Sequence, residues 1–221
     1  MPHTPEQIKY LMTIAQCAPT VWGIGDYELE YSSASNGNCK YSITPNYLIS
    51  KSEGDEQWQA IRKKAESVLQ EMCATNTITD SESAAKAVYN WICKNVDYVD
   101  VDGNSSEEIY PYNGLYSAIV SQEAICGGYA KLFCFLMSCL CYESGYCTGY
   151  SPSGQYHAWN ALRIGEKKVY YNATYGSGYL FESKFCAKES LDTRHLASIC
   201  WYDRQHLELA PLLGEVLGAS L

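Results

Sequence analysis

The sequence predicts an α+β protein. Three observations carry this prediction: an alternating segment with turn signals at residues 27–49, apolar residues spaced three and four apart at residues 58–72 and 84–92, and strand-like segments after residue 145. Strands followed by helices, and then a helix leading into antiparallel strands, is the order of an α+β domain.

The first predicted element is a β-hairpin. Residues 27–31 alternate in polarity, Asn36-Gly37 is a turn signal, and residues 41–43 supply the returning strand. From Asp55 onward the period changes to that of a helix. The apolar stripe that predicts this amphipathic helix consists of Trp58, Ile61, Ala65, Val68, Leu69 and Met72.

Two further helices are predicted, separated by a loop. The second runs from about Ser83 to Asn95, after capping side chains at residues 79–82. Residues 100–113 are polar and contain glycine and proline, which predicts a loop. The third helix is predicted to begin at Cys126 and to end near Gly145, because glycine is the usual stop.

The segments after this helix are predicted strands at residues 146–150, 156–164 and 168–174, with a turn at Gly165-Glu166. A helical stretch is expected in the tail. The chain is therefore divided into three parts: a β-rich extension at residues 1–55, a core at residues 56–185, and a helical tail at residues 186–221 that packs on the core.

The composition limits the classes of partner. The 221 residues are 47% hydrophobic and 19% charged, with a net charge of −9. Nucleic acid and anionic membrane are excluded as main partners because both require a basic face. No signal peptide is recognisable, and the most apolar stretch, residues 132–140, is too short to span a bilayer. These features predict a cytoplasmic protein, or a secreted one if a leader has been removed.

The 11 cysteines permit two interpretations. All are thiols in a reducing compartment, or ten are paired and one is free in a secreted protein. The reduced state is favoured because the cysteines occupy apolar helical positions. No Cys-x-x-Cys pair occurs, so a zinc site has little support, and neither a metal nor a cofactor is expected.

Cys126 is the candidate nucleophile, in the segment Ile125-Cys126-Gly127-Gly128-Tyr129 where a loop enters the third helix. The partial positive charge of a helix N-terminus favours thiolate over thiol. The glycines, Gly127 first, allow a substrate to approach closely, and the Cys126 amide is placed to stabilise an oxyanion. The alternative is one more buried cysteine at a helix start.

His157 is the candidate base. It opens the segment His157-Ala158-Trp159-Asn160 after a glycine-containing turn, where its ring can face a cleft and accept a thiol proton. The alternative is a half-buried structural histidine. A cysteine nucleophile, however, needs a base held by rigid elements and oriented by a third group.

Asn172 is the candidate third group, by a register argument. If the hairpin turns at Gly165-Glu166, Trp159 faces Asn172, and His157 lies two residues along on the same face of the sheet. A shift by one residue would move Asn172 to the opposite face. The alternative is a capping role at a strand end.

Two other residues are weaker candidates for the site. Gln122, four residues before Cys126, can donate to an oxyanion or cap a loop. Trp159 shares the face of His157 and can wall the cleft, although core packing is the more common role of such a tryptophan.

Four ordered segments resemble a bacterial transglutaminase-like domain: GLYSAIV (114–120), AICGGYA (124–130), HAWN (157–160) and YYNAT (170–174). The similarity spans roughly residues 84–176. It implies a papain-like cysteine proteinase fold, with the nucleophile at a helix N-terminus and the His and acid on neighbouring strands. The family usually has Asp where this chain has Asn172, and papain-like proteases use Asn as the orienting group.

The function expected from these residues is cysteine-dependent acyl transfer on an amide or thioester through Cys126, His157 and Asn172. The substrate is expected to be a peptide, a protein or a carrier-bound acyl group. Release to water, by a peptidase or amidase, is favoured over transfer to an amine or carbon acceptor by a transglutaminase-type acyltransferase, ligase or cyclase. A binding module that retains the fold without the chemistry is the second alternative.

Overall fold

The protein is built from helices packed against a five-stranded antiparallel sheet. The computed structural model describes residues 24–33, 39–101, 105–150, 154–176, 186–188 and 196–202. Among these, no helix is both long and apolar enough to cross a bilayer. The predicted α+β class is confirmed.

The N-terminal hairpin is present as predicted. β1 (Ile24–Ser33) pairs antiparallel with β2 (Cys39–Tyr47), and the two strands form a sheet of their own. Leu29 lies opposite Ile43. The register closes around the Asn-Gly turn signal, because Ser33 lies opposite Cys39.

The two amphipathic helices also form. α1 (Lys51–Thr75) begins four residues earlier than Asp55 because Ser50 caps it, accepting a hydrogen bond from the backbone N–H of Glu53 at 3.2 Å. α2 (Ser81–Asn95) begins with a capping box between Asp80 and Ser83. The predicted stripe of α1 is buried at Ile61, Ala65, Val68, Leu69 and Met72.

The predicted loop at residues 100–113 is wrong in its second half. After the short strand β3 (Asp97–Tyr98), residues Ser106–Asn113 form the helix α3. Ser105 and Glu108 form a capping box that starts it. Pro111 suggested a loop, yet the helix accommodates it near its C-terminal end.

A π-helical turn, Ser117–Ser121, and the strand β4 (Glu123–Ala124) lead into the third predicted helix, α4 (Cys126–Cys139). Its predicted end near Gly145 is wrong. The N–H of Cys141 donates to Ser138 O at 3.0 Å, and that of Tyr142 to Met137 O at 2.9 Å. This is a Schellman cap in which Cys141, at φ 66°, takes the left-handed position usual for glycine.

Gly145 belongs instead to β5 (Ser144–Tyr150). A Cβ at this position would lie 2.8 Å from Ile199 Cγ2 and 3.3 Å from Trp201 Cε3, so the glycine is required by the strand that packs across it. The residue that suggested a helix stop therefore serves strand packing.

The large sheet has the order β8 (Cys186–Lys188), β7 (Lys167–Tyr171), β6 (Tyr156–Ile164), β5 and β9 (Leu196–Tyr202). The predicted strands appear as β5, β6 and β7. Ile164 lies opposite Lys167 and Asn160 opposite Tyr171, with Gly165 at φ 60° in the turn. The predicted β6–β7 register is confirmed.

The described parts of the tail are strands, so its predicted helical character is wrong there. β8 (Cys186–Lys188) pairs with β7, and β9 (Leu196–Tyr202) pairs antiparallel with β5, placing Cys200 opposite Tyr146. Residues 203–221 lie outside the described residues. The three-part division of the chain remains a prediction.

Helix α4 is the centre of the molecule. Every residue from Gly127 to Cys139 is buried, between α1 and α2 on one side and the sheet on the other. Phe133 packs on Tyr171 of β7 with ring centroids 5.6 Å apart, and Phe135 packs edge-on against Trp58 of α1 at 6.2 Å. Since truncating such a core aromatic costs about 3–5 kcal/mol, the position of α4 is well fixed.

Candidate active site

Cys126 is the first residue of α4, and its side chain is partly exposed. Its N-cap is Ile125, which has no side chain able to satisfy the N–H groups of the first turn. The side chain packs against a buried cluster that includes Ala130, Tyr146 and Ala158. The sequence-predicted placement of this cysteine at a helix N-terminus is therefore correct.

The protonation of Cys126 differs from the expectation. Burial raises the pKa of the Cys126 thiol above its ordinary value, and the backbone N–H groups of Ala158, Gly127 and Cys126 itself oppose that rise. The N–H donors favour thiolate as expected, but the loss of solvent is the larger effect. The resting group is the neutral thiol.

His157 lies near the start of β6 and is 9% exposed. Burial lowers the pKa of its imidazole, and the hydrogen bond with Asn172 acts in the opposite direction. A lowered pKa keeps the ring neutral at neutral pH, which is the state that can accept a proton. Cys126 and His157 therefore both favour their neutral forms.

Asn172 contacts His157 as the register argument predicted. His157 Nε2 lies 3.3 Å from Asn172 Oδ1 and 3.1 Å from Asn172 Nδ2. When Oδ1 accepts from a protonated Nε2, Nδ1 is left unprotonated and can take a proton. When Nδ2 donates to Nε2 instead, Nδ1 carries the proton and cannot act as a base. The orientation of this one amide selects the reactive tautomer.

The segment that carries Asn172 is fixed on helix α2. Cys93 Sγ donates to Ala173 O at 3.5 Å, and Gly176 N donates to the same carbonyl at 3.1 Å. A Cβ on Gly176 would overlap the Tyr89 hydroxyl, so only glycine permits this close approach. Asn172 itself is buried.

A second amide, Asn160, ties the two halves of the site together and was missed by the sequence reasoning. Its Nδ2 donates to Ala130 O at 2.9 Å and lies 3.3 Å from both Cys134 Sγ and Gly145 O. Ala130 is one turn after Cys126, and Asn160 is three residues after His157. Asn160 therefore holds β6 against α4 close to both reactive residues.

His157 is in contact with two aromatic rings. It stacks with Trp159 at a centroid distance of 6.0 Å and with Tyr175 at 5.0 Å, with interplanar angles of 21° and 17°. Trp159 is buried in a small cluster with Cys147, so it supports the histidine from within the protein rather than walling an open cleft. Tyr175 is 53% exposed, and its aromatic type in a turn gave no sequence signal.

Tyr98 is a further exposed aromatic residue near the thiol. Burial and the negative forms of Cys126, Asp100 and Tyr175 raise the pKa of its hydroxyl. Its ring lies 6.3 Å from that of Tyr129 in α4. Tyr98 and Tyr175 thus form an aromatic rim beside Cys126 and His157.

Two other sequence candidates, Gln122 and Gly127, lie close to Cys126 in the chain. Gln122 adopts φ 61° at the end of the π-helical turn, and its carbonyl accepts from Asp97 N at 2.8 Å. Gly127 is buried, and a Cβ there would overlap Asn113 Oδ1 and lie 3.2 Å from Tyr146 Oη. A side chain at position 127 would therefore collide with Asn113, and the expectation that Gly127 lets a substrate approach closely stays a prediction.

Within the described ranges, no group of three or more His, Cys, Asp or Glu side chains is arranged to hold an ion. The cysteines whose side chains the structure describes are free thiols: Cys73, Cys93, Cys126, Cys134, Cys139, Cys141, Cys147 and Cys200.

Comparisons with known proteins give a family and two similar structures. Residues 66–174 match the family described as the transglutaminase-like superfamily. The structure of a TGase is 14% identical, with a TM-score of 0.45, over 90% of this chain and 54% of that one. A protein described as a "putative cysteine protease" from Cytophaga hutchinsonii is 16% identical, with a TM-score of 0.41, over 80% of this chain and 71% of that one.

This chain spans about half the length of the TGase. No curated protein matches it. The matched segment begins within α1 and ends just after β7, so it contains the whole of α4 and the residues Cys126, His157 and Asn172. Residues 66–174 are thus a transglutaminase-like segment, which matches that superfamily over just under half of the chain.

Proposed function

We propose that this protein is a cysteine-dependent acyl-transfer enzyme that cleaves amide or thioester bonds, with Cys126 as nucleophile, His157 as base and Asn172 as the orienting group. The observation that carries the proposal is the contact of Asn172 with His157 Nε2. It leaves Nδ1 as the one ring nitrogen able to exchange a proton with the thiol.

The neutral resting state implies the order of events. Because burial favours thiol and imidazole over thiolate and imidazolium, the proton moves to His157 Nδ1 as the sulfur attacks. The S–C bond forms, and the carbonyl π electrons move to oxygen. Collapse of this intermediate breaks the bond to the leaving group, which takes the proton from the imidazolium and leaves an acyl group on Cys126.

The second half-reaction decides the class of enzyme. Attack by water on the thioester regenerates the thiol and releases an acid, as in a peptidase or amidase. Attack by an amine gives a new amide instead. We favour hydrolysis, with a peptide, protein or carrier-bound acyl donor, because water needs no dedicated site.

A labelling experiment tests the nucleophile. We expect iodoacetamide to modify Cys126 faster than the exposed Cys141 at neutral pH. Burial raises the pKa of the Cys126 thiol, so a faster reaction requires His157 to take the proton as the sulfur attacks. Peptide mapping by mass spectrometry identifies the modified residue, and Cys141→Ala is the control. If the cysteines react at equal, slow rates, the proposal fails.

An acyl-acceptor experiment tests the class. With p-nitrophenyl acetate as donor and millimolar methylamine present, a hydrolase should release nearly all of the acyl group as acetate. Formation of N-methylacetamide at amine concentrations far below that of water would identify an acyltransferase, since a built amine site acts through effective concentration. Cys126→Ala corrects for acylation of other thiols.

A further inference from the structure

Tyr175 stacks on His157 from an exposed position. The two ring centroids are 5.0 Å apart and the rings are 17° from parallel, although 53% of Tyr175 is exposed. Trp159 lies nearly parallel to the same imidazole at 6.0 Å, but it is buried. The imidazole therefore has one aromatic neighbour in the core and one at the surface.

The turn that carries Tyr175 is fixed on both sides of that residue. Ala173 O accepts from Gly176 N at 3.1 Å and from Cys93 Sγ of α2 at 3.5 Å. A Cβ on Gly176 would overlap the Tyr89 hydroxyl, so the turn lies directly against α2. The backbone of Tyr175 is thus held in place although its ring is half-exposed.

The hydrogen-bond partner of His157 is a neutral amide, Asn172. Burial lowers the pKa of His157, and no carboxylate of the described residues raises it. The other titratable groups at this rim are Cys126 at the start of α4, Tyr98 in β3 and Asp100 after it, besides the Tyr175 hydroxyl itself. An imidazolium formed at His157 therefore gains no help from an orienting carboxylate.

We infer that Tyr175 is a positioning residue for His157, whose stacked ring holds the plane of the imidazole and stabilises the imidazolium that forms when Cys126 gives up its proton. The face of an aromatic ring attracts a cation within about 6 Å of its centroid, and the separation of 5.0 Å is inside that range. Asn172 orients one edge of the imidazole, and Tyr175 fixes its face. The aromatic contact thus supplies part of what a carboxylate would supply in place of Asn172.

The inference rests on the proposed function for the role of His157, and an NMR titration separates their failures. The pH dependence of the imidazole Cε1–H signal reports the pKa of His157 whether or not the protein turns over a substrate. The signal is assigned by its absence from His157→Ala. A parent that p-nitrophenyl acetate does not acylate at Cys126 contradicts the proposed function, whereas the pKa of His157 in variants of Tyr175 tests the inference.

For Tyr175→Leu, which still covers the imidazole but has no ring electrons, we expect the pKa of His157 to fall. The acidic limb of acylation by p-nitrophenyl acetate should move to lower pH with it, and the plateau rate should fall about two- to fivefold, as the loss of a partly exposed cation–π contact implies. Tyr175→Phe keeps the ring and should match the parent in both measurements. The matched control is Tyr150→Leu, because Tyr150 is 51% exposed and packs on Tyr156 and not on His157.

A rescue variant distinguishes lost electrostatic support from damage to the turn. Asn172→Asp adds a negative charge beside His157 Nε2, so in the Tyr175→Leu background it should raise the pKa of His157 and restore the acylation rate. A charge at position 172 would not repair a turn that has lost its structure.

An unchanged or raised pKa of His157 in Tyr175→Leu overturns the inference. A ring that only shields the imidazole from water lowers that pKa by desolvation, so its loss would raise the pKa or leave it unchanged. A lower plateau rate without a shift of the acidic limb, or a rate that Asn172→Asp does not restore, also overturns it, because either result would make Tyr175 a packing residue only.

Discussion

Two cysteines of helix α4 lie in different surroundings, Cys126 in its first turn and Cys134 two turns later. Cys126 begins the helix, is partly exposed and has the N–H groups of Ala158 and Gly127 directed at its sulfur. Cys134, two turns later, is fully buried, and burial raises its pKa to about 12. Both sulfurs belong to the same packed cluster against β5, β6 and β9.

The difference between the two thiols shows what separates a nucleophile from a packing residue in this protein. Burial raises the pKa of both, so depth alone does not distinguish them. Cys126 has in addition partial exposure and backbone N–H groups directed at its sulfur, and our proposal gives it His157 as a base. Cys134 has hydrogen bonds from Ser144 and Asn160, which fix it in the core.

The largest expected effect removes the nucleophile. Cys126→Ala should abolish acylation from p-nitrophenyl acetate, while the free energy of unfolding changes by no more than about 0.5 kcal/mol because the side chain is small and partly exposed. Cys134→Ala should do the reverse, losing on the order of 1 kcal/mol or more through a cavity while keeping activity. Burst kinetics and urea unfolding measure both. Activity retained by Cys126→Ala contradicts the comparison.

The next largest effect removes the base. His157→Ala should lower the acylation rate by about 10²-fold or more, because no other group takes the thiol proton. The acidic limb of kcat/KM against pH should also disappear. In the parent, that limb should lie below pH 6.5, because burial lowers the pKa of His157 and the ring stays unprotonated to lower pH.

The lowered pKa of His157 also makes the free energy of unfolding depend on pH. Because the pKa of His157 is lower in the folded protein than in the unfolded chain, folding is favoured above the unfolded pKa. This contribution is lost as the pH falls through the folded pKa. His157→Ala should therefore weaken the acid dependence of unfolding, and an unchanged pH profile for both rate and stability would leave His157 without its assigned role.

The sequence is sufficient for the elements whose pattern is local. Period and caps predict α1 and α2, and the turn at Gly165 sets the register that brings His157 to Asn172. The position of Cys126 at a helix start is also predicted locally, because a loop meets an apolar helical pattern at this residue. Each of these features depends on residues close together in the chain.

The remaining features depend on contacts between distant residues. The pairing of β9 with β5 has no local signature, so the tail was predicted as a helix. The contacts of Asn113 with Gly127 and of Tyr175 with His157 also appear only once the chain is folded. The raised pKa of Cys126 has the same origin, since burial by β6 outweighs the local effect of the helix end.

A smaller effect is expected at Asn160, which holds β6 to α4. Asn160→Leu is close in size but leaves the Ala130 and Gly145 carbonyls without its donors, so we expect a loss of about 1–3 kcal/mol in the free energy of unfolding. The acylation rate should fall as well, because the spacing of Cys126 and His157 loosens. Asn95→Ala is the control. A stability loss with full activity would show that the site does not depend on this link.

The smallest effect, and the most specific, is expected at Asn172, the residue that contacts His157 Nε2. Asn172→Asp keeps an acceptor for His157 Nε2 and removes the competing Nδ2 donor, so the tautomer with a free Nδ1 is favoured. The added negative charge stabilises imidazolium and raises the pKa of His157. We expect activity to be kept or increased, with the acidic limb moved to higher pH.

Asn172→Ala removes the acceptor and should lower activity less than His157→Ala does, because the third group contributes less than the nucleophile or the base. A merely structural Asn172 predicts that both variants change the melting temperature and that neither moves the acidic limb.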